Sequence, residues 1–353
     1  MLQHVSSHVY SIVHEALSYL IYFHSRSRPT RRPRKNKADP EWLVLRLLRK
    51  PTPPTDLRPP SNQTSNPIQN AGQSHTHTAN RQAFYRHRII PRMLVDTNKR
   101  DTSTTLFGHR VPAPIGFAPV GINKIYHPQG ELPVAKVAGE LGLPYCLSTA
   151  GSQPIEDVAK ANDELAEGKN GLRFFQLYMP HDDELTKSLL TRALKSGFTA
   201  CILTLDTWQL GWRHDDVATS NYAFYHGTGA DLGLSDPVFQ QRLREHGIDP
   251  VTQSNEAGAL WIDNVWHGRA HTWEKMQWVM GLWRELSGGK PFCLKGIHSV
   301  DDAKKAVELG VDGIVVSNHA GRQVDGAIAS LDALERIVDG KQNLPLDKND
   351  QKD

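Results

Sequence analysis

The run VVSNHAGRQVDG at residues 315–326 places an apolar stretch directly before Ser317, Asn318, His319 and Arg322. An imidazole titrates near neutrality and can take a proton during a reaction. A guanidinium forks around a carboxylate. Four further residues end apolar runs in the same way: Tyr178 in FFQLY, Asp206 in LTLDT, Arg213 in the GWR that follows it, and Lys295 in LKGI. Asp206 can orient His319 and stabilise its charged form, Arg213 and Arg322 can clamp a carboxylate, and Lys295 offers a positive charge to a developing anion. The chemistry these types suit is removal of hydrogen from a carbon beside a carboxylate. No side chain accepts two electrons, so a redox cofactor is implied. Each residue also has a plainer reading. A histidine after a strand often caps or packs, Arg213 has Asp215 and Asp216 close by in sequence, and Ser148 or Thr149 alone reads as a cap or loop residue.

The elements that must position these groups are short apolar runs alternating with amphipathic ones. Segments 114–120, 144–149, 171–178, 199–206, 291–296 and 312–318 read as buried strands, and 131–142, 154–162, 182–196, 272–287, 300–309 and 329–339 as helices. SVDDAKKAVELG carries both helix signals, with Ser299 as N-cap, Asp302 three residues on and Gly310 as the stop. Strand and helix units in succession predict an α/β fold with a parallel sheet, of which the TIM-type (β/α)8 barrel is the commonest closed form, with about six units present. A doubly wound open sheet is the competing arrangement. The barrel gathers its chemistry at the C-terminal ends of its strands, which is where Ser148, Thr149, Gln176, Tyr178, Thr204, Asp206, Lys295, Ser317 and His319 fall.

Composition bounds the rest. The chain has 353 residues and a net charge of +3, with much of its positive charge in SRSRPTRRPRKNK, so a broad nucleic-acid surface is not indicated. Cys146, Cys201 and Cys293 lie in or beside apolar runs without metal-ligand spacing, and read as buried free thiols of a reducing compartment. No zinc motif, nucleophile elbow, phosphate loop or well-placed GxGxxG competes. Residues 1–70 form an N-terminal extension, basic and largely disordered over 24–70. Within it Val9, Ile12, Val13, Ala16, Leu17, Leu20 and Ile21 recur at helical spacing ahead of seven basic residues in 26–37, a targeting or membrane-surface pattern too short to span a membrane. The compartment stays open between cytoplasm and mitochondrion. Residues 71–340 carry the barrel and 341–353 a polar tail.

SNHAGRQVDG, together with LKGI, FFQLY, LTLDT followed by GWR, and GFAPVG, strongly resembles the FMN-dependent L-2-hydroxy acid oxidases and dehydrogenases. The similarity runs from about Ala71 to about Val338. NYAFYHG, SDPVFQQRLREHG and HTWEKMQWV, between Arg213 and Lys295, look most like the L-lactate 2-monooxygenase branch, which turns lactate and O2 into acetate, CO2 and water. The resemblance implies that His319 is the base and Asp206 its partner. Arg213 and Arg322 would bind the substrate carboxylate, and Tyr178 its hydroxyl or carboxylate. Ala118, Pro119 and Val120 would press on the flavin from the first strand. Ser148, Gln176 and Thr204 would bond its polar edge, Lys295 would face its N1 side and Ser317 its ribityl chain. No metal is implied, and homo-oligomers are frequent in the family.

The sequence also departs from the pattern. The family's seventh and eighth strands, whose loops hold the FMN phosphate, have no counterpart in DGKQNLPLDKNDQKD. A six-strand barrel is expected to leave the edges of its first and last strands open. Of the family's GGAG-like turn only Ala71 and Gly72 remain, and Tyr10, Tyr19 and Tyr22 are not in the context of its active-site tyrosine. Two expectations follow: a flavoenzyme of lactate 2-monooxygenase or 2-hydroxy acid oxidase type, and a truncated fragment of that family that no longer holds flavin.

Overall fold

The structure, a computed structural model, describes residues 20–23, 70–166, 170–220 and 222–340. In chain order it contains β1 (Leu20–Phe23), α1 (His75–Tyr85), a hairpin of β2 (Thr104–Leu106) and β3 (His109–Val111), then α2 (Leu132–Glu140) and β4 (Tyr145–Ser148). Next come α3 (Ile155–Glu164), β5 (Arg173–Leu177), α4 (Asp183–Lys195) and β6 (Cys201–Thr204). Five helices separate β6 from β7 (Phe292–Lys295): α5 (His214–Thr219), α6 (Asp231–Leu234), α7 (Pro237–Glu245), α8 (Ser254–Val265) and α9 (Trp273–Ser287). The described residues end with α10 (Val300–Glu308), β8 (Gly313–Val316) and α11 (Ser330–Asp339).

Strands β4 to β8 are parallel and adjacent in chain order, each joined to the next through helix. This is the connectivity of a TIM-type barrel wall rather than of a doubly wound sheet, whose strand order reverses. Every residue of these strands is buried. The two-residue period of the strand divides them between faces. Leu147, Phe175, Leu203, Leu294 and Val316 join the main core beneath the helices, while Cys146, Phe174, Ile202, Cys293 and Val315 form a second cluster on the opposite face. By the same alternation Ser148, Gln176, Thr204 and Lys295, two residues further along each of β4 to β7, share that second face. Leu106 and Val111 of the hairpin complete the cluster, so β2 and β3 plug its N-terminal end. The hairpin turns on Phe107 and Gly108, both with positive φ (48° and 81°), the geometry of a tight type I′ turn.

Two expectations are corrected. Segment 114–120 forms only an isolated bridge, in which Phe117 N–H donates to the Pro144 carbonyl at 2.8 Å and accepts through its own carbonyl from Cys146 N–H at 3.0 Å. Pro114 and Pro119 each lack an N–H, which leaves too few donors for a ladder. The outer edge of β8 was expected to be open, but it is covered: Leu20 pairs with Val316 and Phe23 with Gly313, antiparallel. Leu20 and Ile21 are therefore extended, where the spacing predicts a helix. The remaining expectations for residues 1–69, and those for 341–353, lie outside the described residues.

Among the described residues no helix is long and apolar enough to cross a membrane. Cys146, Cys201 and Cys293 are buried and free, and burial pushes each thiol above its ordinary range. Helices α2 and α3 touch where Gly139 meets the Asn162 carbonyl, with no room for a Cβ. Gly139→Ala is expected to destabilise the fold by about 1–3 kcal/mol, read as a fall of several degrees in a thermal melt.

Candidate active site

The site is built from the ends of β5 to β8. After β8 the chain turns through three consecutive residues with positive φ: His319 (56°), Ala320 (57°) and Gly321 (75°). Side chains hold this turn. His319 N–H donates to Ser317 Oγ at 3.0 Å and Gly321 N–H to Asn318 Oδ1 at 3.1 Å. Asn318 also exchanges amide bonds with Asn80 of α1 (2.9 and 2.8 Å) and donates to the Ile328 carbonyl at 3.0 Å. A Cβ at Gly321 would stand 2.7 Å from His77 N, so α1 packs directly on the turn. Asp325 fixes α1 from the other side, accepting from Gln73 N–H at 2.7 Å and Thr76 N–H at 3.1 Å. The VDG motif is thus a clamp between residues about 250 positions apart.

The turn delivers the His319 ring to Asp206. Nδ1 lies 3.0 Å from Asp206 Oδ1 and 2.8 Å from Thr207 Oγ1, whose hydroxyl itself donates to Asp206 Oδ1 at 3.1 Å. A carboxylate can only accept, so Nδ1 carries the proton and Nε2 keeps its lone pair. Nε2 is 3.4 Å from the Tyr178 hydroxyl. Burial, helped by the Lys295 charge, holds His319 down at about 4 against the pull of Asp206. Burial raises Asp206, but Lys295 and His319 outweigh it and hold the carboxyl at about 2. At neutral pH the pair is therefore carboxylate and neutral imidazole, the state a proton acceptor needs.

This has a stability consequence. A histidine that folds to a value below 6.5 binds fewer protons folded than unfolded, so stability falls as pH drops from about 6.5 toward about 4. Urea denaturation of the chain between pH 7 and 4.5 should show that loss, and His319→Gln should make it smaller, the remainder coming from His267, His271 and His298, which burial also lowers.

Arg213 is buried, and donates through Nε to the Arg322 carbonyl at 2.9 Å and through Nη2 to Gln323 Oε1 at 3.0 Å. Its Nη1 reaches Asp216 at 3.5 Å, the loop ion pair of the plainer reading. Burial and the nearby Arg322 charge bring it down to about 10. The two like charges oppose each other, a cost that a bound anion would relieve. Gln323 ties the loop after β6 to the turn, donating to the carbonyls of Asp206 (3.1 Å) and Gln209 (2.7 Å).

Beside this cluster runs a polar chain across three neighbouring strands. Ser148 Oγ donates to Gln176 Oε1 at 2.9 Å, and Gln176 Nε2 donates to Thr204 Oγ1 at 2.8 Å. Lys295, 2% exposed, is the register partner of Thr204 on the next strand. Burial lowers it and Asp206 opposes that. Ala118, Pro119 and Val120 follow the bridging Phe117, and Ala118 is buried. A cation, two hydroxyls and an amide in one row suit the polar edge of a flat heteroaromatic ring carrying both carbonyl and N–H groups. The donor set fits the ring of a flavin. Ser317 Oγ is already engaged in the His319 turn.

Sequence reasoning missed Thr207, Gln323, Asn318 and Asn80. The first two carry only the weak signal of lying beside Asp206 and Arg322. Asn318 sits inside the His-centred motif, and nothing local marks Asn80. Trp266, at the end of α8, was also unmarked, and packs edge-on against Tyr178 with ring centres 5.4 Å apart.

The ends of a parallel barrel wall bring a neutral imidazole, its carboxylate, two arginines and a buried ammonium into one region. The chain belongs to the FMN-dependent dehydrogenase family, whose pattern it matches over residues 61–346. It is 44% identical over 269 residues to the FMN-dependent alpha-hydroxy acid dehydrogenase qulF of Penicillium citrinum, covering 76% of this chain and 64% of that protein. It is 40% identical over 279 residues to an L-lactate oxidase of Lysinibacillus sphaericus, covering 78% and 67%. The crystal structure of mandelate oxidase superposes with a TM-score of 0.61 at 31% identity, covering 77% of this chain and 68% of that one. Another structure of mandelate oxidase holds an FMN adduct. The chain spans about two thirds of the length of these relatives.

Proposed function

We propose that this protein binds FMN and oxidises a small L-2-hydroxy acid, with lactate as the first candidate substrate. The observation that carries this is the His319 ring, neutral at pH 7, fixed through Nδ1 by Asp206 and Thr207, with Nε2 beside Tyr178. Arg322 and Arg213 bind the substrate carboxylate, and the Tyr178 hydroxyl orients the substrate oxygen. His319 Nε2 takes the proton released as the 2-carbon is oxidised. Asp206 stabilises the imidazolium that results, which burial alone would disfavour. Lys295 offsets negative charge gained on the ring that Ser148, Gln176 and Thr204 hold. FMN, when bound, supplies the two-electron acceptor.

Two outcomes of the oxidation are open to the same site. The long segment between β6 and β7 favours the lactate 2-monooxygenase outcome, because it closes over the strand ends. His271 Nε2 bonds the Met179 carbonyl at 3.1 Å and Trp266 rests on Tyr178, so a 2-oxo acid retained there would be oxidatively decarboxylated by the hydrogen peroxide that reduction of O2 yields, giving acetate, CO2 and water. The similarity to an L-lactate oxidase and to mandelate oxidase favours release of the 2-oxo acid. The test is the visible spectrum of the full chain titrated with FMN, followed by L-lactate without oxygen. Bound flavin that bleaches supports the proposal, and acetate rather than pyruvate after oxygen is admitted selects the monooxygenase outcome. Soluble, folded protein that binds no FMN overturns it and supports the non-catalytic reading.

A further inference from the structure

The chain leaving β5 reads Tyr178, Met179, Pro180, His181, and one short stretch of the connection between β6 and β7 grips it at three points. Trp266 packs edge-on against the Tyr178 ring, with ring centres 5.4 Å apart and planes at 70°. His271 Nε2–H donates to the Met179 carbonyl at 3.1 Å, and His181 N–H donates to the Asn264 carbonyl at 3.3 Å. The last two contacts fix backbone, as does the bond from Tyr178 N–H to Thr149 Oγ1 at 3.0 Å. The Trp266 contact bears on the tyrosine side chain.

Trp266 is itself braced. Its backbone N–H donates to the Ile262 carbonyl at 2.8 Å, and its indole meets the buried Phe224 ring with centres 5.6 Å apart. Gly258 makes that pairing possible, because the Phe224 carbonyl leaves no room for a Cβ there and α8 lies directly on the turn at 223–226. The indole N–H is buried without a hydrogen-bond partner among the described residues, so Trp266 acts here by packing. Tyr178 in turn stands over His319, their rings 6.4 Å apart and within 29° of parallel, with the hydroxyl 3.4 Å from Nε2. Because Nδ1 carries the imidazole proton, Nε2 accepts and the hydroxyl donates. Phe224, Trp266, Tyr178 and His319 thus form one row of rings from the connection to the base.

We propose that Trp266 is a positioning residue: its ring holds the Tyr178 ring at the tilt that points the hydroxyl at His319 Nε2, and it affects the reaction through that hydroxyl alone. The role rests on the proposed function, in which Tyr178 orients the substrate oxygen. A phenol oxygen lies at the far end of its side chain, so a small change of tilt at the ring carries it out of hydrogen-bond range.

The first readout is the His319 Nε2 signal in ¹⁵N NMR of the full chain at neutral pH, without flavin or substrate. Tyr178→Phe removes the hydroxyl and marks where the signal moves when that hydrogen bond is lost. Trp266→Leu is expected to move it the same way, Trp266→Phe to leave it near its original position, and Trp266→Leu to add nothing to Tyr178→Phe. Should the leucine variant not fold, Trp266→Met fills more of the indole space without a flat ring and is read in the same way. A signal that stays in place in the folded variant overturns the proposal, as does a shift that persists on top of Tyr178→Phe. The second readout is bleaching of bound FMN by L-lactate. Trp266→Leu slows it about three- to tenfold, the worth of an aromatic pair, and has no further effect once Tyr178 is replaced by phenylalanine. Normal bleaching by the unaltered chain with no movement at His319 in Trp266→Leu defeats the positioning role alone. Movement at His319 in a chain that oxidises no hydroxy acid leaves the hold of Trp266 on Tyr178 standing while the proposed function falls.

Discussion

His319→Gln lowers the rate at which an L-2-hydroxy acid bleaches the bound flavin by about 10²- to 10⁴-fold, the range for loss of a positioned base. FMN affinity stays as it was. Glutamine retains a donor toward Asp206 and Thr207, which hold the imidazole at 3.0 and 2.8 Å, so the pocket keeps its shape while the lone pair at Nε2 is lost. Ser148, Gln176 and Thr204, the groups proposed to hold the flavin edge, are hydrogen-bonded to one another across the strand ends. The measurements are anaerobic stopped-flow bleaching and an FMN titration of the same preparation. Equal loss of flavin would return His319 to a packing role.

Arg322→Met raises the substrate requirement by about 30- to 3,000-fold, the equivalent of roughly 2–5 kcal/mol for a buried charged partner. Its effect falls on KM more than on turnover of bound substrate, because a carboxylate that does not react is held alike in ground and transition states. Arg322 is the cleaner probe of the two arginines. The Arg213 guanidinium carries hydrogen bonds to Gln323 and to the Arg322 carbonyl, so its removal is expected to disturb the loop after β6 in addition to any effect on substrate. Steady-state kinetics with L-lactate read the effect, and an unchanged KM would move the carboxylate site elsewhere.

What the sequence disclosed and what it withheld divide along a physical line. Strand and helix periods are local, so the five parallel strands and helices α2, α3, α4, α9, α10 and α11 could be read directly from apolar spacing, while α5 to α8 in the long connection before β7 could not. The polar residues at strand ends also stand out, because a buried run has no packing reason to finish in Lys295 or Asp206. What could not be read depends on contacts distant in the chain. The cap that Asp325 gives α1 and the Asn80 bond to Asn318 each join segments more than 230 residues apart. The plugging hairpin is announced only by Phe107 and Gly108, and phenylalanine is an unusual choice for positive φ. The strand expected at 114–120 failed because apolarity was read without weighing the prolines inside it.

The left-handed turn that presents His319 has an evolutionary side. Two of its three residues, His319 and Ala320, carry a Cβ in a region that favours glycine, at a cost of about 1 kcal/mol or more each. Glycine at either position would relieve that cost, and at 319 it would remove the imidazole as well. On the role proposed for His319, selection on chemistry would hold the motif against a steady pull toward greater stability. A lineage released from the need to turn over substrate would be expected to lose this histidine early, and to gain robustness by losing it.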